Sequence, residues 1–101
     1  MKLEISVFEN SSEVFAKGYM AGNDFYENAS TTAKRIPGGK AHIETETKTF
    51  MYDENHTEDE FAAVDVDVCC NLKTLAICEL IKAMTYDYCL PKTIVIKNIR
   101  K

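Results

Sequence analysis

Two stretches of this chain, "IETETKT" and "FAAVDVDVCC", alternate apolar or threonine side chains with charged ones at a period of two. That period belongs to a strand with one face inside and one face wet. The threonines and valines add β-propensity. A chain that carries the pattern twice in thirty residues must be organised around a sheet. Further elements then read as strands or covers for it.

"KLEISVFE" sets Leu3, Ile5 and Val7 in alternation and predicts a first strand. "PGG" at 37–39 is a turn, with Pro37 opening it and the glycines supplying positive φ. Strands are expected to flank it, at about Thr31 to Ile36 and Lys40 to Tyr52. Residues 11–27 can be read in two ways. Asn10 with Glu13 three residues on resembles a capping box, and Val14, Gly18, Ala21 and Phe25 share one helical face, which favours a short helix. Gly18 and Gly22 weaken it, and a hairpin strand from Val14 to Met20 competes.

The period changes once more in "NLKTLAICELIKAMTYDY". Asn71 can cap a helix running to Tyr88, with Ile77, Leu80, Ile81, Met84 and Tyr88 on its apolar face. Leu75 and Tyr86 fall on the opposite side, beside Glu79 and Lys82. "LPK" ends the helix, and "TIVIKNI" is the last strand, with Pro91 tolerated at its start. The expected fold is a single α+β domain over residues 1–101. Its antiparallel sheet has about four to five strands, with the 71–88 helix packed on one face.

The 101 residues suit one domain, and 46% apolar with 28% charged residues is a globular composition. No secretory leader and no apolar run near 18 residues is visible, so the expected location is the cytoplasm, with no membrane contact. Cys69, Cys70, Cys78 and Cys89 are then reduced thiols, read as small apolar core residues. Their spacing does not match paired zinc ligands. The N-x-S/T triplets at Asn10, Asn28 and Asn55 have no meaning for a chain that is not secreted.

Charge is unevenly spread. The net charge is −4. Between Glu44 and Asp67 stand nine acids and one base, Lys48, whereas Lys92 to Lys101 holds four bases and no acid. The densest part is "MYDENHTEDEF", residues 51–61. It reads as the loop of a long hairpin in which Tyr52 pairs with Phe61. Lys48 then meets Asp65, and Glu46 meets Asp67 with Glu44 nearby, an opposition of like charges that weakens a sheet.

The loop fails as an EF-hand, since Glu58 stands where glycine is needed and Val64 where the closing Glu belongs. "IPGGK" lacks the second glycine and the Lys-Ser/Thr pair of a phosphate loop. His42 and His56 have no nucleophile partner. Wet carboxylates on a hairpin tip stay ionised and cannot divide acid and base roles. No cofactor, metal or catalytic residue is expected. What remains is recognition: Glu44, Glu46, Asp53, Glu54, Glu58, Asp59, Glu60, Asp65 and Asp67 as carboxylates for a basic protein surface, with Tyr52, Phe61 and Phe50 as aromatic anchors on the same face. A net-acidic chain argues against nucleic-acid binding as the main activity.

In size, acidity and lack of catalytic motifs the chain resembles the small acidic anti-defence proteins of phages and mobile elements, including the anti-CRISPR proteins. That resemblance implies an inhibitor, not an enzyme, acting by protein–protein contact in the cytoplasm of a bacterial host. Its target would be a nucleic-acid-handling defence enzyme such as a Cas9-type effector or its guide-RNA complex, whose basic channels hold guide and target strands. The basic C-terminal tail would contact RNA or an acidic part of the target. Two other readings stand beside this one. The chain could be a self-associating accessory or structural protein, dimerising through Leu75, Tyr86 and the sheet edges. It could also be a small enzyme or ligand-binding domain without a recognisable motif.

Overall fold

The computed structural model describes residues 1–10, 12–85 and 91–99. Strands β1 (Lys2–Glu9), β2 (Glu13–Ala21), β3 (Phe25–Ile36), β4 (Lys40–Met51) and β5 (His56–Asp67) follow one another. Helix α1 (Leu72–Met84) and strand β6 (Thr93–Ile99) complete the order. The strands form one sheet in the order β5-β4-β3-β2-β1-β6. Neighbours from β1 to β5 pair antiparallel. β6 lies beside β1 and parallel to it. The sheet is therefore six-stranded and mixed, rather than antiparallel with four or five strands. The helix explains the mixture. It carries the chain from the β5 edge to the β6 edge, and a crossover of this kind lets β6 run in the same direction as β5.

The short helix expected after Asn10 is a strand. Val14, Ala16, Gly18 and Met20 point alternately inward along β2. The Asn10 side chain accepts from the backbone N–H of Ser12 at 2.9 Å and of Glu13 at 3.0 Å. It thus closes the β1–β2 turn instead of capping a helix, a use of Asn that a sequence cannot separate from a cap. Gly18 is required by packing: a Cβ there would lie 2.5 Å from Met84 Sδ and 3.3 Å from Leu80 Cδ2. At the β3–β4 turn Gly38 and Gly39 have φ of +90° and +71°, as the "PGG" turn demands.

One face of the sheet is covered by α1, which lies across β1 to β4 and reaches neither β5 nor β6. The core between them consists of Leu3, Ile5, Val7, Val14, Met20, Ile43, Leu72, Leu80 and Met84 with alanines at Ala16, Ala29, Ala33, Ala41 and Ala76. Asn71 caps α1, its Oδ1 accepting from Thr74 N at 2.7 Å. The buried row of the helix is Leu72, Ala76, Leu80 and Met84, spaced by four. Ile77 and Ile81, expected at its centre, lie only partly buried on its flank, and Leu75, expected on the far side, is equally half-buried on the other flank. Ala76 in the row, with Ala16, Ala33 and Ala41 beneath it on the strands, allows the helix to sit close on the sheet. The described helix ends at Met84, and the expectations for Tyr86, Tyr88 and Cys89 fall outside the described residues.

Cys69, Cys70 and Cys78 are exposed free thiols, not core residues. Cys69 and Cys70 lie in the bend between β5 and α1, beyond the last sheet rung, and Cys78 falls on the outer side of the helix.

Candidate interaction surface

The β4–β5 hairpin differs from its expected register. Its turn occupies only residues 52–55, with Asn55 at φ 49°, a left-handed conformation that Asn accepts readily. The acids that follow are strand, not loop. Met51 pairs with His56, Lys48 with Asp59, Glu46 with Phe61, Ile43 with Val64 and His42 with Asp65. The slip is six residues, an even number, so each side chain keeps its expected face while acquiring a different partner. Opposed like charges largely disappear. Asp67 lies 3.8 Å from Lys40 Nζ. Glu46 faces Phe61 rather than Asp67, and Lys48 faces Asp59.

The sequence-predicted residues are divided among three places. Tyr52, Asp53 and Glu54 lie on the exposed turn. Glu44, Glu46, Asp59, Phe61, Asp65 and Asp67 share the sheet face opposite the helix, as the pairing shows. Glu58 and Glu60 point to the helix side, where α1 does not reach them. Phe61 does not join the other aromatics. Tyr52 packs with Phe50 and Tyr26, ring centroids 6.0 Å apart in each case, whereas Phe61 stands opposite Glu46, four rungs from Phe50, and is 63% exposed.

β5 is thus an edge strand of 12 residues, nearly all of them exposed. It carries five carboxylates, Glu58, Asp59, Glu60, Asp65 and Asp67, and no Lys or Arg. Between the two acidic groups lies the apolar stretch Phe61-Ala62-Ala63-Val64. Among the described residues its outer backbone groups have no pairing partner, since β4 occupies only one side.

Three features were not read from the sequence. The open sheet face forms a groove of about 800 Å³, walled at one side by Glu46, Asp59 and Phe61 and at the other by Lys17 and Lys97. Cross-strand register creates it, so no local pattern announces it. Second, His42 lies between two carboxylates, Nδ1 2.5 Å from Asp65 Oδ1 and Nε2 3.3 Å from Glu44 Oε2. The hydrogen bond to Asp65, and then that to Glu44, raises its pKa above the usual histidine value. Third, Glu27 is buried on the helix side at 3% exposure and accepts from Thr49 Oγ1 at 2.7 Å. Burial raises its pKa, opposed by the Thr49 hydrogen bond and assisted by the Glu60 charge. The signal for it is the alternation of Glu27 with Ala29, Thr31 and Ala33, which shows only once β3 is extended back to Phe25.

Among the described residues no group of three or more His, Cys, Asp or Glu side chains is placed to hold a metal ion. No described helix is long and apolar enough to cross a membrane. No protein-family model, curated protein or solved structure matches this chain. Its functional reading therefore rests on its own residues.

Proposed function

We propose that the chain is an interaction protein, not an enzyme, and that β5 is its binding element. The observation that carries this reading is the 12-residue edge strand with five carboxylates, no Lys or Arg, and no contact with α1. Phe61, at 63% exposure in the middle of those acids, supplies an apolar anchor. A partner that fits is a basic protein surface with an apolar recess. Arginines that otherwise hold phosphates can accept carboxylates in bidentate fashion, and complementary charge speeds the encounter. The target class argued for is a nucleic-acid-handling bacterial defence enzyme of the Cas9 type, met in the host cytoplasm. Glu58, Asp59, Glu60, Asp65 and Asp67 would compete for its basic channel. Tyr52, Asp53 and Glu54 on the turn, with Glu44 and Glu46 on β4, would extend the contact.

The experiment is an inhibition and binding assay against a guide-loaded Cas9-type effector across salt concentrations. The triple variant Glu58→Gln, Asp59→Asn, Glu60→Gln should fold normally, since exposed substitutions change stability by about 0.5 kcal/mol or less. It should bind at least about tenfold more weakly at low salt, with the gap narrowing as salt screens the exposed charges. Equal inhibition by variant and parent would reject the acidic edge as the binding element. Absence of any binding by the parent would reject the target class.

A further inference from the structure

The two edges of the sheet are complementary to each other. β5 is acidic around an apolar centre. β6, at the opposite edge, is apolar and basic: Ile94 and Ile96 are 43% and 44% exposed on the helix side, and Lys97 projects from the other face. Lys92 precedes the strand and continues its ladder, its N–H bonded to Met1 O at 3.0 Å. Among the described residues nothing pairs with the outer side of either edge, and α1 covers neither. They also run in the same direction. β6 is parallel to β1, and the four antiparallel steps from β1 to β5 restore that direction at β5.

We propose that β5 of one copy pairs in parallel with β6 of a second copy, joining the molecules head to tail into a continuous sheet. One register satisfies both faces at once. With Ile94 opposite Ala62 and Ile96 opposite Val64, the exposed apolar side chains on the helix side cover each other. Val95 then meets Ala63. The same register places Lys97 opposite Asp65 on the open face and Lys92 opposite Glu60 on the helix side. Parity is preserved, because Ile94 and Ile96 share the helix side with Ala62 and Val64, whereas Lys97 and Asp65 share the other. Pairing β5 with another β5 has no such solution, since the strand contains no Lys or Arg to meet its five acids.

The contact is heterologous, so each copy keeps one free β5 and one free β6. Adjacent strands rotate by about 20–25°, so six strands turn the next copy by roughly 120–150° about the direction of growth. Such a rotation advances along an axis and does not close, which makes the assembly open-ended rather than a sealed dimer. It is independent of any outside partner for β5, although that partner and a second copy would compete for the same edge.

Sedimentation velocity of the full chain over a concentration series tests this. A sedimentation coefficient that keeps rising with concentration, and falls when salt is added, is the expected result. A single monomeric species up to the highest concentration, or a rise that stops at a dimer, would overturn the head-to-tail arrangement. Lys97→Glu and Asp65→Lys should each weaken assembly at least about tenfold by opposing like charges across the contact. Mixed in equal amounts, the two variants should assemble again, because the Glu at 97 of one copy meets the Lys at 65 of the other and the remaining edges are native. Variants that assemble alone, or a folded mixture that stays monomeric, would reject the register. Circular dichroism of each variant establishes that it is folded. Ile96→Lys, which places charge in the apolar part of the contact and leaves β5 unchanged, should also abolish assembly while preserving any binding of a basic partner, and retained assembly would count against the apolar match.

Discussion

β4 and β5 are neighbours of equal length, 12 residues each, and pair along their whole extent, yet they differ in almost every other respect. β4 alternates buried Ala41, Ile43 and Thr45 with wet residues because α1 lies over it. β5 has the same alternating chemistry in Val64, Val66 and Asp65, but α1 does not reach it, and only Val66 is partly buried against the core. Hydrogen bonding to one neighbour suffices to place a strand, whereas apolar cover decides how strongly it is held. The molecule is accordingly graded, from a dense centre under the helix to two edges held mainly by their ladders.

The sharpest way to break this contrast is to truncate matched side chains. Ile43→Ala or Leu80→Ala should cost about 2–5 kcal/mol. Val64→Ala, opposite Ile43 but 40% exposed, should cost less than about 1 kcal/mol. Similar losses at Ile43 and Val64 in denaturant unfolding would mean that β5 is covered in solution, as the head-to-tail assembly would achieve at high concentration. The flanks of the helix fit the same scale: Leu75→Ala and Ile81→Ala should have similar, intermediate costs.

A second effect is overfilling. Gly18→Ala should destabilise by about 1–3 kcal/mol, because its Cβ would displace Met84. Adding Met84→Ala to it should cost less than the sum of the two single changes. Additive costs would show that helix and sheet separate freely at that point.

Smaller effects come from the two shifted groups. The folded pKa of Glu27 lies above its unfolded value of 4.5, so the native state holds its proton more tightly. Stability must therefore fall as pH rises from the unfolded value through the folded one. Glu27→Gln keeps an acceptor for Thr49 and should raise the thermal midpoint at pH 7, with the advantage gone in acid where the parent is protonated. A lower midpoint at pH 7 would show that the carboxylate is stabilising. His42 has the smallest effect. Its raised pKa gives a contribution fully present below the unfolded value of 6.5 and lost as pH rises through the folded one. Asp65→Asn should move the His42 titration, followed by NMR, back toward 6.5; an unmoved titration would mean that Glu44 alone holds it.

Local chemistry was legible where it acts alone. β1, the "PGG" hairpin, the Asn71 cap and β6 could be read from period, turn glycines and capping. Residues 10–21 could not, because Asn10 followed by Glu13 satisfies a helix cap and a strand turn equally. The pairing of β2 with β1 and β3 decides for the strand, and the close approach of Met84 to Gly18 fits it. The expected hairpin register is six residues out because it places the five acids of residues 51–61 in the loop, whereas Glu58, Asp59 and Glu60 belong to β5. Four turn residues sufficed, and Lys40, His42 and Lys48 then found Asp67, Asp65 and Asp59 across the strands. The acidic composition of the candidate surface was visible in advance. Its division between two faces, and the basic edge opposite, depend on register and on the parallel placement of β6.

That placement also sets an order of events. Leu3 pairs with Ile94, 91 residues further along the chain. The β1–β5 meander can form from contacts between consecutive strands, but β1 must wait for β6 until the helix has been made and has crossed the sheet. Closing so long a loop is slow relative to the local hairpins. During synthesis on the ribosome, β1 would therefore pass through a period as a bare edge with Leu3, Ile5 and Val7 on it. Its acidic and basic neighbours, Glu4 and Lys2, are the only charges on that strand before Glu9, so the growing chain is most exposed to mispairing where the finished protein is best buried.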